Sequence, residues 1–168
     1  MLRPYQQQAI VAVKQHWLAG RRAVVLVMPV GGGKTRVAEH LMVNVLDKSW
    51  AQIFFIAHTE QLIDQPAQRF QDRRIAHAFV KAGRKADATA QVQFCSDATM
   101  VRRDVDVAVG ADGKPHTRAV VIVDEAHRVR SATYLQILTK LSRKFQFVYL
   151  LLLTGTPSRL DGRGLADV

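Results

Sequence analysis

Three consecutive glycines run into a lysine and a threonine within Met28-Pro29-Val30-Gly31-Gly32-Gly33-Lys34-Thr35. Glycines let a backbone turn tightly with its N–H groups pointing inward. Such groups, at the start of a helix, form a nest for phosphate. Lys34 has the reach and charge for the β- and γ-phosphates of a nucleotide, and the Thr35 hydroxyl suits Mg²⁺. The second reactive stretch is Asp124-Glu125-Ala126-His127. Asp124 can hold Mg²⁺ directly or through a water, and Glu125 can accept a proton from an attacking water. Each stretch alone has a plain alternative reading, a glycine turn or an acidic turn. Both together, in this order, describe a site for hydrolysis of a nucleoside triphosphate.

Both stretches need strands to carry them, and the apolar runs Ala23-Val24-Val25-Leu26-Val27 and Ala119-Val120-Val121-Ile122-Val123 stand directly before them. Pro4 suits a first helical position. From there Tyr5, Ala9, Ile10, Val13 and Trp17 recur at helical spacing as far as Gly20. Residues 23–27 read as a buried strand, and 34–47 as a helix with Val37, Leu41 and Val45 on one face. A strand at 53–57 precedes a helix capped by Thr59, with Glu60 in the favourable first turn. A short strand at 75–80, a polar loop at 81–89, a strand at 92–95 and a short helix near 97–103 follow. Gly110, Asp112-Gly113 and Pro115 mark 104–118 as an exposed loop or hairpin. A buried strand at 119–123, an amphipathic helix at 132–141 and a strand at 147–153 complete the alternation. Strands that are continuous apolar runs, alternating with helices, imply an α/β fold whose parallel sheet is covered on both faces.

With 168 residues, 48% of them hydrophobic, one domain with a sizeable core is expected. No apolar run approaches the roughly 20 residues that span a bilayer, and no signal-peptide pattern opens the chain. The single Cys95 has no partner for an intramolecular disulfide and no zinc-binding cluster around it. It reads as a small buried residue on a strand, and a cytoplasmic setting is expected. The net charge of +10 would attract a polyanion such as nucleic acid. No amphipathic helix rich in Lys and Arg offers a membrane as the alternative partner.

At these motifs the chain resembles the superfamily 2 helicases and translocases. The likeness is to DEAH-box members related to the helicase subunits of restriction enzymes and to phage helicases. It extends over essentially the whole sequence. Leu2-Arg3-Pro4-Tyr5-Gln6 resembles the segment that reads adenine, which implies nucleotide-binding roles for Gln6 and Arg3. Met28 to Thr35 resembles motif I, with Met28 where the pattern usually has glycine. Phe54 to Leu62 resembles motif Ia, and Gln93 to Met100 a later segment that also touches the nucleic-acid backbone. Asp124 to His127 matches motif II, and Leu153-Thr154-Gly155-Thr156-Pro157 matches motif III. Arg159 to Leu165 continues the pattern of this branch. Three departures stand out: Thr59 replaces a common arginine, Ser96 a common threonine, and Gly155 a common alanine. None removes a catalytic group, and Gly155 is expected to loosen its turn.

The resemblance implies a three-layer, RecA-like P-loop domain over residues 1–168, with ATP and Mg²⁺ as cofactors. It implies that Glu125, Lys34, Asp124 and His127 serve catalysis and that Gly31, Gly32, Gly33, Lys34 and Thr35 hold the phosphates. Thr35 and Asp124 would hold the metal. Thr154 and Thr156 would couple the nucleotide site to a bound strand. Nucleic acid, with DNA favoured, would meet His58, Thr59, Ser96 and Arg102 or Arg103. For the two arginines a solvated basic face is an equal alternative, and the cluster Arg69, Arg73, Arg74 reads as solvated helix surface. Such motors use a second RecA-like domain, which supplies arginines to the phosphoryl group and is expected to lie outside this chain. The leading expectation is therefore the first motor domain of an ATP-dependent DNA helicase or translocase. A non-catalytic module binding ATP and nucleic acid, and a P-loop kinase acting on a small acceptor, are the alternatives.

Overall fold

The computed structural model of the protein describes residues 2–83, 87, 90–128 and 131–155. Helix α1 (Pro4–Leu18) is followed by β1 (Ala23–Val27), α2 (Lys34–Asp47), β2 (Gln52–Ala57) and α3 (Glu60–Asp72). Then come β3 (Ala78–Val80), β4 (Val92–Ser96), α4 (Asp97–Arg102) and β5 (Arg118–Val123). A 3₁₀ turn (Ala126–Arg128), α5 (Ser131–Lys144) and β6 (Phe147–Thr154) complete the described order. The six strands form one parallel sheet in the order β1-β6-β5-β2-β4-β3.

Alternation along the central strands builds a core on each face of the sheet. Ile53, Phe55 and Ala57 of β2 face Val37 and Leu41 of α2 and Ile63 and Phe70 of α3. Phe54 and Ile56, one residue out of phase, join Met100 of α4 and Tyr134, Ile137 and Leu141 of α5. Every residue of β2 is buried, as a strand covered on both faces requires. The result is three layers, α1–α2–α3, sheet, and α4–α5, which is the RecA-like α/β arrangement the sequence leads one to expect. No helix among the described residues is long and apolar enough to cross a membrane.

The strand at 23–27 differs from its expected burial. It forms the edge of the sheet, and Val25 and Val27 are 36% and 47% exposed. An apolar run says nothing about how many neighbours a strand has, so edge and centre read alike. The strand expected at 75–80 is confined to Ala78–Val80. Ile75 is still part of the exit from α3, its N–H donating to Phe70 O at 2.9 Å, with Arg74 left-handed at φ 57°. Arg69 is not plain solvated surface either. Its Nε donates to Glu39 Oε1 at 2.6 Å, pairing α3 with an almost fully buried carboxylate on α2. Residues 104–118 do contain a hairpin-like turn, closed by an antiparallel bridge between Val109 and Pro115.

The strand order is what assembles the site. Because β6 lies between β1 and β5, the carboxyl ends of three adjacent strands carry the glycine turn, Thr154 and Asp124 side by side. Open α/β sheets bind ligands at such carboxyl ends.

Candidate nucleotide site

The glycine turn starts at Met28, whose N–H donates to Thr154 O at 2.9 Å, extending the β1–β6 ladder by one bond. Gly31 and Gly33 take φ of 78° and 83°, a region where a side chain is strained. Gly33 then caps α2, so Lys34 and Thr35 occupy the first helical turn. At Gly33 an added Cβ would fall 2.3 Å from Gln6 Nε2, so the position excludes a side chain on two counts. Gly155 has no such demand, since its φ lies outside the left-handed region. There a Cβ would meet Val30 Cγ2 at 3.5 Å and Lys34 Nζ at 3.6 Å, ordinary contact, so the expected loosening of that turn is not needed by its geometry.

Lys34 is buried, and its Nζ stands 3.6 Å from Glu125 Oε1. Thr35 Oγ1 donates to Asp124 Oδ2 at 3.3 Å. The Glu125 N–H donates to Asp124 Oδ1 at 3.0 Å. Asp124 is 2% exposed, and burial is the main reason its carboxyl is held above the ordinary carboxylate range. Glu125 adds repulsion, while the backbone hydrogen bond from Glu125, Thr35 and Lys34 pull the other way. Glu125 itself is left-handed at φ 51°, a conformation that costs a non-glycine residue energy and is concentrated at functional sites. His127 Nδ1 lies 3.3 Å from Glu125 Oε2 and 3.1 Å from Thr154 Oγ1. Lysine, glutamate, histidine and threonine thus form one chain of contacts across three strand ends. Thr156, the other hydroxyl of motif III, lies outside the described residues.

The amino-terminal segment joins this site through the glycine turn. Gln6 is buried at 4%, whereas Gln7 and Gln8 are exposed, so only the first of the three glutamines faces the site. Its Oε1 accepts from the Arg3 N–H and its Nε2 donates to Gly32 O, both at 2.9 Å. The Tyr5 hydroxyl donates to the same Gly32 O at 3.0 Å, and Arg3 Nη1 reaches that hydroxyl at 3.4 Å. Tyr5 is a residue that helical periodicity assigned to the apolar face. The aromatic beside the glutamine was the only sequence signal for its role, and its partner lies 27 residues away.

The residues expected at nucleic acid divide into two groups. Ala57 and Ser96 are register partners, so His58, Thr59 and Ser96 stand at neighbouring strand ends on the same rim as Asp124. Thr59 Oγ1 accepts from the Leu62 N–H at 3.4 Å, the expected cap. His58 Nδ1 is buried with no hydrogen-bond partner among the described residues. Arg102 and Arg103 are exposed but turn back on the chain: Arg102 Nε donates to Ala98 O at 3.2 Å and Arg103 Nη1 to Lys81 O at 3.4 Å. Cys95 is buried, and burial pushes its thiol up, consistent with a packing role.

Comparisons with known proteins agree with this fold. The endonuclease subunit of the type I restriction enzyme EcoKI of Escherichia coli (strain K12) is 33% identical over 75 residues, which cover 44% of this chain and 6% of that protein. The UvsW helicase from Bacteriophage T4 superposes with a TM-score of 0.69 at 19% identity, covering 93% of this chain and 53% of that one. The Sulfolobus solfataricus SWI2/SNF2 ATPase core, solved in complex with dsDNA, gives 0.69 at 16% identity over 94% of this chain and 32% of its own. The chain therefore spans about half or less of the length of the proteins it resembles. A family model described as "Type III restriction enzyme, res subunit" matches residues 1–159. With that match over nearly its whole length and the fold of a helicase-type ATPase domain, the chain belongs to the family of type III restriction enzyme res subunits.

Proposed function

We propose that this chain is the first motor domain of an ATP-dependent DNA helicase or translocase. The observation that carries the reading is the contact chain Lys34–Glu125–His127–Thr154, which links a phosphate turn, a carboxylate and a strand-end hydroxyl. In this reading Gly31, Gly32, Gly33 and Lys34 bind the phosphates, and Lys34 exchanges Glu125 for the phosphoryl oxygens. Released from Lys34, the Glu125 carboxylate accepts the proton of the attacking water. His127 holds Glu125 in place and passes the state of the site to Thr154, with Thr156 beyond it. Gln6 and Arg3 take the adenine side.

Thr35 and Asp124 offer hard oxygen donors 3.3 Å apart, the donor type that Mg²⁺ takes, and these residues would hold it. When bound, the cation supplies charge neutralisation at the phosphates. The desolvated Asp124 carboxyl, with Lys34 as its one cationic influence among the described residues, fits that role.

DNA as the track is supported by the +10 net charge and by the dsDNA in the SWI2/SNF2 complex. His58, Thr59, Ser96, Arg102 and Arg103 are the proposed contacts, all sequence-independent. A second RecA-like half would supply arginines to the phosphoryl group, worth about 10³–10⁵ in rate in related systems. A cytoplasmic location belongs to the same reading. The test is direct. This chain alone is expected to bind ATP weakly, release phosphate very slowly and show no ATP-controlled grip on DNA. Turnover comparable to that of an intact motor would refute the need for a second half.

A further inference from the structure

At the opposite, amino-terminal ends of the strands lies a cavity of about 360 Å³. Its aromatic wall is Trp17, Trp50 and Tyr149, three rings in mutual edge contact at 5.3–6.4 Å. Its floor reaches the core, where Leu41 and Val45 are 1% and 3% exposed. The polar groups that converge on it are mostly of one sign. Lys14, Lys48 and Arg118 line it, no acidic side chain does, and none of the three forms a salt bridge among the described residues. The indole N–H of Trp17 is itself buried and has no acceptor among the described residues. An apolar concavity of a few hundred Å³ with a few convergent polar groups is the usual form of a small-molecule site.

We propose that this cavity is a second ligand site, separate from the nucleotide site, which takes a planar aromatic ring bearing a carboxylate, sulfonate or phosphate. The ring enters against the indoles and the phenol. The anion stays at the mouth, where Lys14, Lys48 and Arg118 give it charge-assisted hydrogen bonds. The small volume and the aromatic wall favour a free small molecule over a strand laid across the surface.

The probe is 1-anilinonaphthalene-8-sulfonate, set against uncharged N-phenyl-1-naphthylamine. Both tryptophans of the chain are in the wall, so occupancy reads as energy transfer from tryptophan to dye. One saturable site is expected, with the sulfonate binding about tenfold tighter or more. That preference disappears in the double variant Lys48→Glu, Arg118→Glu. Equal affinity of the two dyes for the wild-type chain overturns the proposal, whatever the variant does. So does sulfonate binding to the variant that is as tight as to wild type. Displacement of the dye by a single-stranded oligodeoxynucleotide, but not by a nucleoside monophosphate, overturns the small-molecule assignment in favour of a nucleic-acid contact.

Discussion

Gly33 and Gly155 both border Lys34, yet they make opposite demands on a substitution. At Gly33 a methyl group meets Gln6 Nε2 at 2.3 Å and the backbone is at φ 83°. Gly33→Ala should cost about 1–3 kcal/mol of strain and abolish nucleotide binding. Gly155→Ala has room and should stay within about 0.5 kcal/mol of wild type. Urea melts with a fluorescent ATP analogue decide both. Asp124 gives a pH signature. Its folded-state carboxyl is raised, chiefly by burial, so its ionisation disfavours the folded state. The stability it contributes is fully present below the unfolded carboxylate value and is lost as pH rises through the folded one. Asp124→Asn should therefore melt higher than wild type at pH 7, with the gap closing as pH falls into the carboxylate range, while metal-dependent nucleotide binding is lost. An unchanged gap across pH would contradict burial as the cause. At this scale the sequence pointed to glycine, lysine and paired carboxylates by residue type, and the fold brings Lys34, Thr35, Asp124 and Glu125 together. Tyr5 was less legible, because its partner is a backbone carbonyl reached only after α1 has docked.

Helices α2 and α3 illustrate what elements add. The helical repeat of Val37, Leu41 and Val45 marks the face of α2 that packs on the sheet, and those residues are buried as that repeat requires. It does not mark Glu39, which is 1% exposed and held by Arg69 of α3. Removing the cation alone leaves a buried carboxylate unpaired. Arg69→Ala should cost about 2 kcal/mol, and the double variant Glu39→Met, Arg69→Met should recover most of it. Denaturant midpoints of the three proteins check this. No recovery in the double variant would show that the pair is not what joins the two helices. Glu39 and Arg69 each look like surface residues in sequence, since pairing across two helices leaves no local pattern. The edge position of β1 was hidden for a similar reason. Ala23–Val27 has the composition of a central strand, and only the sheet order shows that one side of it is unpaired.

For the molecule as a whole, the parallel sheet does more than carry motifs. It places the glycine turn, the acid pair and Thr154 on three adjacent strand ends, although they are up to about 120 residues apart in sequence. The same sheet sets the aromatic cavity at its other end. The alternation of strands and helices made the fold class readable, and the matched family and the phage helicase structure agree with it. This chain spans 53% of that helicase, and the proposed motor reading assigns the work of hydrolysis to parts beyond a single domain. The central claim rests on Glu125, left-handed and within reach of both Lys34 and His127. The decisive measurement is DNA-stimulated phosphate release by Glu125→Gln in a longer protein that includes the second RecA-like half. Release should fall by about 10²–10⁴ while ATP affinity is retained. Release equal to that of the unaltered protein would contradict the assignment.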